Sequence, residues 1–560
     1  MKQSTPDPLP PPSPARQAAG AEPQLRLAAG SGNLETLDGC GPPTRYETGP
    51  NRFHSILFET PEDRGPEEPP DAPLFRDLSL DQVIDAATSG RQEYDLKPLF
   101  RTPLKNCRAI NYRHEVMQDL ATPELLSQVQ SFAQKMRAMR LHRAQADQLR
   151  NIHQKQAAFL DAVEVYCEAV TTLADALAGT SLKSRGFRAF RNYLQTYVAS
   201  APFRSLLADT RRVKTSLASV KYCILVRANS FTVRRYDGEP DYSLEVERTF
   251  ERFKLDAPRN YAVRFHDSPE MNHIEEKILE FVANLYPDTF RSLEEYHAAY
   301  SDYLDETVQG FDREVQFYLA WGDYLSSFTR EGLSVCYPEM SEHRKDIYAT
   351  NVFDLALAKQ LLGTPTPVVC NDFYLTGDER ILIVTGPNQG GKTTFARTFG
   401  QLHYLARIGC TIPGTAARLF LCDRIFTHFE REERLDTLHG ALEDSLARIH
   451  HILGQATPNS IVILNEIFTS TTLRDALWLS KKVLTRIMEL DLLCVCVTFI
   501  DELAFLSPKT VSMVATVVPE HPSMRTYRLA RKPPEGVAWA TSVAEKHGVT
   551  YDAIKKRLGR

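Results

Sequence analysis

The chain has 560 residues, 43% hydrophobic and 24% charged, which fits two or three globular domains and excludes a wholly disordered protein. A formal net charge of −5 excludes a uniformly basic nucleic-acid binder, although such an average hides any local stripe of Lys and Arg. No apolar run is long enough for a membrane helix and no signal-type apolar core follows Lys2, so a cytoplasmic protein with no membrane partner is expected.

Residues 1–75 hold 15 of the 34 prolines and read as a disordered Pro-rich tail, because proline lacks a backbone donor. Within it, Phe53-His54-Ser55-Ile56-Leu57-Phe58 is an apolar knot able to dock on a folded body. Residues 76–340 read as helical. Glu124 to Arg143 and Ala144 to Leu177 contain no proline or glycine, and Ile152, Phe159, Ala162, Val163, Tyr166, Ala169 and Val170 share one helical face. Further helices are expected over 186–198, 201–218, 273–285 and 292–328. Two β-prone runs, Cys223 to Arg227 and Phe231 to Arg235, flank a polar turn and predict a hairpin.

From 341 to 560 short apolar runs alternate with helical sequence. Ile381 to Thr385, Ile461 to Leu464 and Leu493 to Thr498 read as strands of a sheet buried on both faces. The ten cysteines include no CxxC pair, and Cys494 and Cys496 fall on one face of a strand, as core residues.

Gly386-Pro387-Asn388-Gln389-Gly390-Gly391-Lys392-Thr393 fits the phosphate-loop pattern GxxxxGK[ST], with a strand before it and a helix beginning near Thr394 after it. Glycines let the main chain curl so that its amides face phosphate oxygens, and the helix N-terminus adds partial positive charge. Lys392 is expected to reach the outer phosphates and Thr393 to ligate Mg²⁺. Glu466 ends the strand Ile461-Val462-Ile463-Leu464 and is placed to activate water, while Asn465 stands where such ATPases usually carry Asp.

These residues resemble the DNA mismatch repair MutS family. Thr385 to Thr394 is close to the family's TGPNMGGKST. Ile408 to Pro413 resembles its IGxxVPA, Asp423 to Thr427 its DRIFTR, and Glu466 to Thr472 follows its DEIGRGTST. Val537 to Ala540, His547 to Val549 and Ile554 to Arg557 resemble its closing helix pair, and Leu104 to Ile110 with Arg113 echoes the start of its helical core. The resemblance implies a long-helix core or lever domain over 76–340, followed by an ABC-like ATPase domain over 341–560 that uses ATP and Mg²⁺. It implies head-to-tail homodimers that close on nucleotide and engage DNA.

Asn371 matches the family's nucleotide-contacting FxxN segment, but Val368 replaces the aromatic that would stack on adenine, leaving Phe373 as the candidate substitute. The family's histidine after the next strand falls on Phe499, and its signature serine on Leu438. With Asn465, these changes favour ATP binding over fast hydrolysis. A short, divergent member is expected, without the mismatch-reading domain and with the hairpin near 222–236 as the remnant of a DNA clamp.

The candidate DNA surface comprises Lys135, Arg137, Arg140, Arg143, Arg150 and Lys155 on consecutive helices. Arg185, Arg188, Arg191, Arg204, Arg211, Arg212 and Lys214 form a second group, with Arg227, Arg234 and Arg235 on the hairpin. Two other readings fit: a slow ATP-gated scaffold for protein partners, and a binder of branched or recombining DNA.

Overall fold

The computed structural model describes residues 53–227, 230–239, 242–251, 271–429, 440–518, 521–534 and 549–557. All belong to one unit, Asn51–Arg560, of mixed helix and sheet.

The N-terminal half is built on two long helices, Pro123–Gln148 and Ile152–Gly179, which pack along one another. The break between them lies at 149–151, later than the sequence division after Arg143. There the Asn151 side chain accepts from the amides of His153 and Gln154 and starts the second helix. Of the expected apolar face, Phe159 through Val170 is buried, whereas Ile152, in the first turn, is 55% exposed. The run 292–328, expected to be one helix, is two: Pro287–Ala299 and Glu306–Thr329. The cause is again a cap, since the Asp305 carboxylate accepts from the Val308 amide. The hairpin forms as expected from antiparallel strands Tyr222–Arg227 and Ser230–Arg235.

The C-terminal half centres on a six-stranded sheet in the order Ile425–Phe429, Ile461–Asn465, Leu493–Val497, Ile381–Thr385, Thr510–Val518, His521–Arg531. The first five strands are parallel and the last is antiparallel. Alternate residues feed two different cores, as the two-residue repeat of a strand requires. Leu382, Val384, Ile461, Ile463, Leu493 and Val495 join the large core shared with the N-terminal helices. Ile381, Ile383, Val462, Leu464, Cys494 and Cys496 face a smaller core under the helices Ala441–Gln455 and Leu473–Glu489. Both cysteines are thus packing residues.

The helix Lys392–Arg407 lies on the first face and is buried along most of its length. Its C-terminal end is gripped by the N-terminal half. Arg113 Nη1 donates to Ile408 O at 2.7 Å, the Leu104 amide donates to Arg407 O at 3.0 Å, and Trp321 Nε1 donates to Thr411 O at 3.2 Å. Arg113 is fully buried, its guanidinium 4.8 Å from the rings of both Phe58 and Phe317.

The sequence reading of a tail over 1–75 extends too far. Ile56 and Leu57 are fully buried, and the hydroxyls of Tyr112 and Tyr318 donate to the carbonyls of Ser55 and Ile56. The apolar knot therefore docks, and its backbone is satisfied by side chains of the body. Further on, the helix Pro73–Asp77 covers the edge strand Ile425–Phe429, with Thr427 Oγ1 donating to Asp77 Oδ2 at 2.7 Å. Residues 1–52 lie outside the described residues.

Candidate functional site

The buried strand Ile381–Thr385 runs directly into the glycine loop, and the helix starts at Lys392. Gly386 has φ +117°, and a Cβ there would lie 3.0 Å from Ala515 on the neighbouring strand, so no larger residue fits the curl. Gln389 also sits in the left-handed region, with φ +60°.

Lys392 is 4% exposed and folds back over the loop. Its ammonium donates to Gly386 O at 2.9 Å, Pro387 O at 3.3 Å and Asn388 Oδ1 at 3.3 Å, and stands 3.9 Å from Glu466 Oε1. Burial draws its pKa below the usual lysine value, Glu466 opposing this and Arg525 adding to it. A buried cation held by neutral carbonyls and one distant carboxylate is suited to receiving anionic oxygens.

Thr393 Oγ1 donates to Asn465 Oδ1 at 3.0 Å. Parallel pairing of Asn465 with Val497 fixes its position at the sheet's C-terminal edge. The next residue, Glu466, takes φ +53°, with its amide donating to Val497 O at 2.9 Å. Phe468 has φ +63°. Left-handed backbone at two non-glycine residues within this short turn is strain of the kind held at functional sites. It turns the Glu466 carboxyl into the same cavity as the loop.

That cavity has a volume of about 610 Å³ and is lined by Asn388 through Thr394, with Glu466 at one side and Val368, Asn371 and Tyr527 at another. Gly386, Pro387 and Asn465 stand behind its wall, Asn465 acting through Thr393. Asn371 borders the cavity with its amide already engaged: Oδ1 accepts from the Leu529 amide at 2.7 Å and Nδ2 donates to Tyr527 O at 3.2 Å.

Phe373, the expected aromatic substitute, is 2% exposed and packs against Phe395 and Phe399. It points into the core and is not part of the cavity. The aromatic at the mouth is Tyr527, 51% exposed with φ +58°. The sequence signals neither its backbone conformation nor its nearness to a loop more than a hundred residues earlier. Phe499 is 49% exposed just beyond the strand Leu493–Val497. Leu438, Val537 to Ala540 and His547 to Gly548 lie outside the described residues.

About half of the expected basic residues are neutralised within the chain. Lys135 pairs with Glu168 at 2.7 Å, Arg137 with Glu93 at 3.2 Å, and Lys214 with Asp161 at 2.5 Å. Arg140 pairs with Asp312, Arg185 with Glu59 and Glu115, and Arg234 with Glu239. Among the described residues, Arg143, Arg188, Arg191, Arg204, Arg211, Arg227 and Arg235 are in no ion pair, and all but Arg143 lie on the helices 185–218 and the hairpin. No helix among the described residues is long and apolar enough to cross a membrane.

Residues 382–553 match the family model of MutS domain V. The chain is 26% identical over 322 residues to the DNA mismatch repair protein MutS of Chlorobium phaeobacteroides, covering 54% of this chain and 34% of that protein. It is 32% identical over 148 residues to the DNA mismatch repair protein MSH3 of Kluyveromyces lactis, covering 26% of this chain and 14% of that protein. The similarity thus spans about a third of the curated MutS relatives, 34% and 35% of the first two. A glycine loop, its buried lysine and the strand-end pair Asn465-Glu466 all fall inside the segment that matches MutS domain V.

Proposed function

We propose that the chain binds ATP with Mg²⁺ in the cavity around Lys392 and couples that binding to engagement of DNA. The observation that carries this reading is the convergence of Lys392, Thr393 and Glu466 on one open cavity behind a glycine curl. The loop amides from Asn388 to Thr394 and Lys392 would hold phosphates, Gly386 and Pro387 shaping the curl behind them, and Asn371 would support the mouth by fixing Tyr527, whose exposed ring offers a face for a base. Thr393 and Asn465 would hold Mg²⁺, both through neutral oxygens. Among the described residues no cluster of three or more His, Cys, Asp or Glu side chains is suited to a metal ion. The pair at Thr393 therefore fits a cation that shares its coordination with phosphate. When bound, Mg²⁺ would neutralise charge on the phosphates. Glu466 would orient and deprotonate the attacking water.

In this reading residues 341–560 are the ATPase part, residues 76–340 the helical arm, and two copies close head to tail on nucleotide. Coupling is physical: the phosphate-loop helix begins at Lys392 and ends in the grip of Arg113, Leu104 and Trp321 from the arm. A shift of that helix would move both.

The slow, ATP-gated scaffold keeps a specific observation in its favour. Asn465 supplies no charge to a metal, and about half of the expected DNA-facing cations are already paired within the chain. Fluorescence anisotropy with labelled homoduplex, mismatched and four-way DNA, with and without ATP–Mg²⁺ over a salt series, separates the two. Salt-sensitive binding whose affinity changes with ATP supports the DNA reading. Tight ATP binding with no DNA affinity at any salt supports the scaffold.

A further inference from the structure

At the other end of the phosphate-loop helix lies a second and larger cavity, about 940 Å³, which shares no lining residue with the first. It opens between the docked N-terminal segment, the turn at Pro103 to Lys105, the edge strand beginning at Ile425, and the helix Ala441–Gln455. Its size is at the upper end of the roughly 300–1,000 Å³ typical of small-molecule sites. Leu74, Leu104, Ile425 and Ile452 give it apolar walls.

Charge is distributed over this cavity unevenly. Arg407, the last residue of the phosphate-loop helix, lines it while only 8% exposed. One guanidinium nitrogen donates to Asp423 O and another lies 3.3 Å from Glu68, but its Nε, also buried, has no hydrogen-bond partner. A buried guanidinium donor without an acceptor is costly unless a ligand or water supplies one. Lys105 and Arg424 add exposed cations at the rim, and neither is in an ion pair among the described residues. Of the three carboxylates in the lining, Glu68 pairs with Arg407 itself, and the other two are engaged away from it. Glu67 pairs with Arg101 at 2.9 Å, and the Asp423 carboxylate accepts from the hydroxyls of Ser460, at 2.8 Å, and Thr457.

We propose that this second cavity is a binding site for a small molecule with an apolar body and one anionic group, a carboxylate, sulfonate or phosphate ester. The apolar body packs on Leu74, Leu104 and Ile452, and the anion lies toward Arg407, Lys105 and Arg424. The phosphate-loop helix has 16 residues, so the two sites stand about 24 Å apart along one rigid element. This inference does not rest on the reading of the first cavity.

The test uses the full chain and two fluorescent probes of nearly the same shape, the anionic 8-anilinonaphthalene-1-sulfonate and its uncharged relative N-phenyl-1-naphthylamine. Wild type is expected to bind the anionic probe at one site, about tenfold or more tighter than the neutral one. Lys105→Glu with Arg424→Glu, both exposed and with the thermal midpoint checked, is expected to erase that difference. Lys392→Ala is expected to preserve it, even where ATP binding is lost. Equal affinity for the two probes, an unchanged preference in the double variant, or loss of anionic-probe binding in Lys392→Ala would overturn the proposal.

Discussion

The hydroxyl of Thr393 donates to the amide oxygen of Asn465 across 3.0 Å, joining the first turn of the phosphate-loop helix to the end of the strand Ile461–Asn465. An amide in this position orients the hydroxyl but brings no negative charge toward a cation. Asn465→Asp adds that charge with almost no change of shape. It is expected to raise Mg²⁺-dependent ATP hydrolysis by about tenfold, the worth of roughly 1.4 kcal/mol. Steady-state phosphate release as a function of Mg²⁺ concentration checks this; a lower rate in the variant would place the metal elsewhere.

Glu466 reaches the cavity through a left-handed turn, and its carboxylate is far enough from Lys392, at 3.9 Å, to act on water instead of locking the lysine. Glu466→Ala is expected to leave ATP affinity within a few-fold of wild type while slowing hydrolysis by about 10²- to 10⁴-fold. Single-turnover hydrolysis alongside equilibrium binding separates the two effects. A matching loss of affinity would mean that Glu466 serves the loop and not the water.

Gly400 sits in the middle of the phosphate-loop helix, where alanine would ordinarily improve helix stability by about 1 kcal/mol. Here a Cβ would lie 2.6 Å from Leu78 of the docked N-terminal segment and 2.7 Å from Ile463 of the sheet. Gly400→Ala is therefore expected to destabilise the protein by about 1–3 kcal/mol despite the helix propensity, read as a lower urea midpoint. A stabilised variant would show that the segment is not packed against this helix.

Two histidines are buried in neutral form. His403 packs on Phe399 with Nδ1 2.8 Å from Phe399 O, and His114 lies against Tyr337; burial lowers each pKa from 6.5 to about 4. Between pH 6.5 and 4 the unfolded chain takes up protons that the folded one refuses. Their contribution is therefore intact above pH 6.5 and declines as pH falls, by up to about 1.4 kcal/mol per pH unit for each histidine. Asp312 acts with the opposite sign: burial raises its carboxyl from 3.8 to about 6 against the pull of Arg140, so the fold gains from its protonation over that range. His403→Leu is expected to flatten the pH dependence of the urea midpoint between pH 6.5 and 4.5. An unchanged slope would contradict a neutral, buried imidazole.

Local signals made much of this molecule legible in advance. The phosphate-loop spacing, the strand before it and the strand ending at Asn465-Glu466 each occupy a few contiguous residues, and the structure forms the curl between that strand and helix. The apolar knot at Phe53–Phe58 was visible because proline-rich sequence rarely carries such a cluster. Long-range relationships were not visible. Tyr527 reaches the cavity because Asn371, 156 residues earlier, holds its carbonyl. Several of the positive charges read as a DNA face are partnered by carboxylates distant in sequence, as Arg140 is by Asp312. One helix break is displaced from its expected place, to Asn151, and one inside 292–328 is unexpected, at Asp305, because a single capping side chain outweighs a continuous helical pattern.

Equilibrium titration of a fluorescent ATP analogue with Mg²⁺ into the full chain, beside its Lys392→Ala variant, tests the central claim most directly. The account predicts one saturable site per chain in the wild type and a loss of affinity of about 100-fold or more in the variant, whose cavity keeps its shape but has no ammonium to meet the phosphates. No measurable binding by the wild type, or equal binding by both proteins, would contradict it.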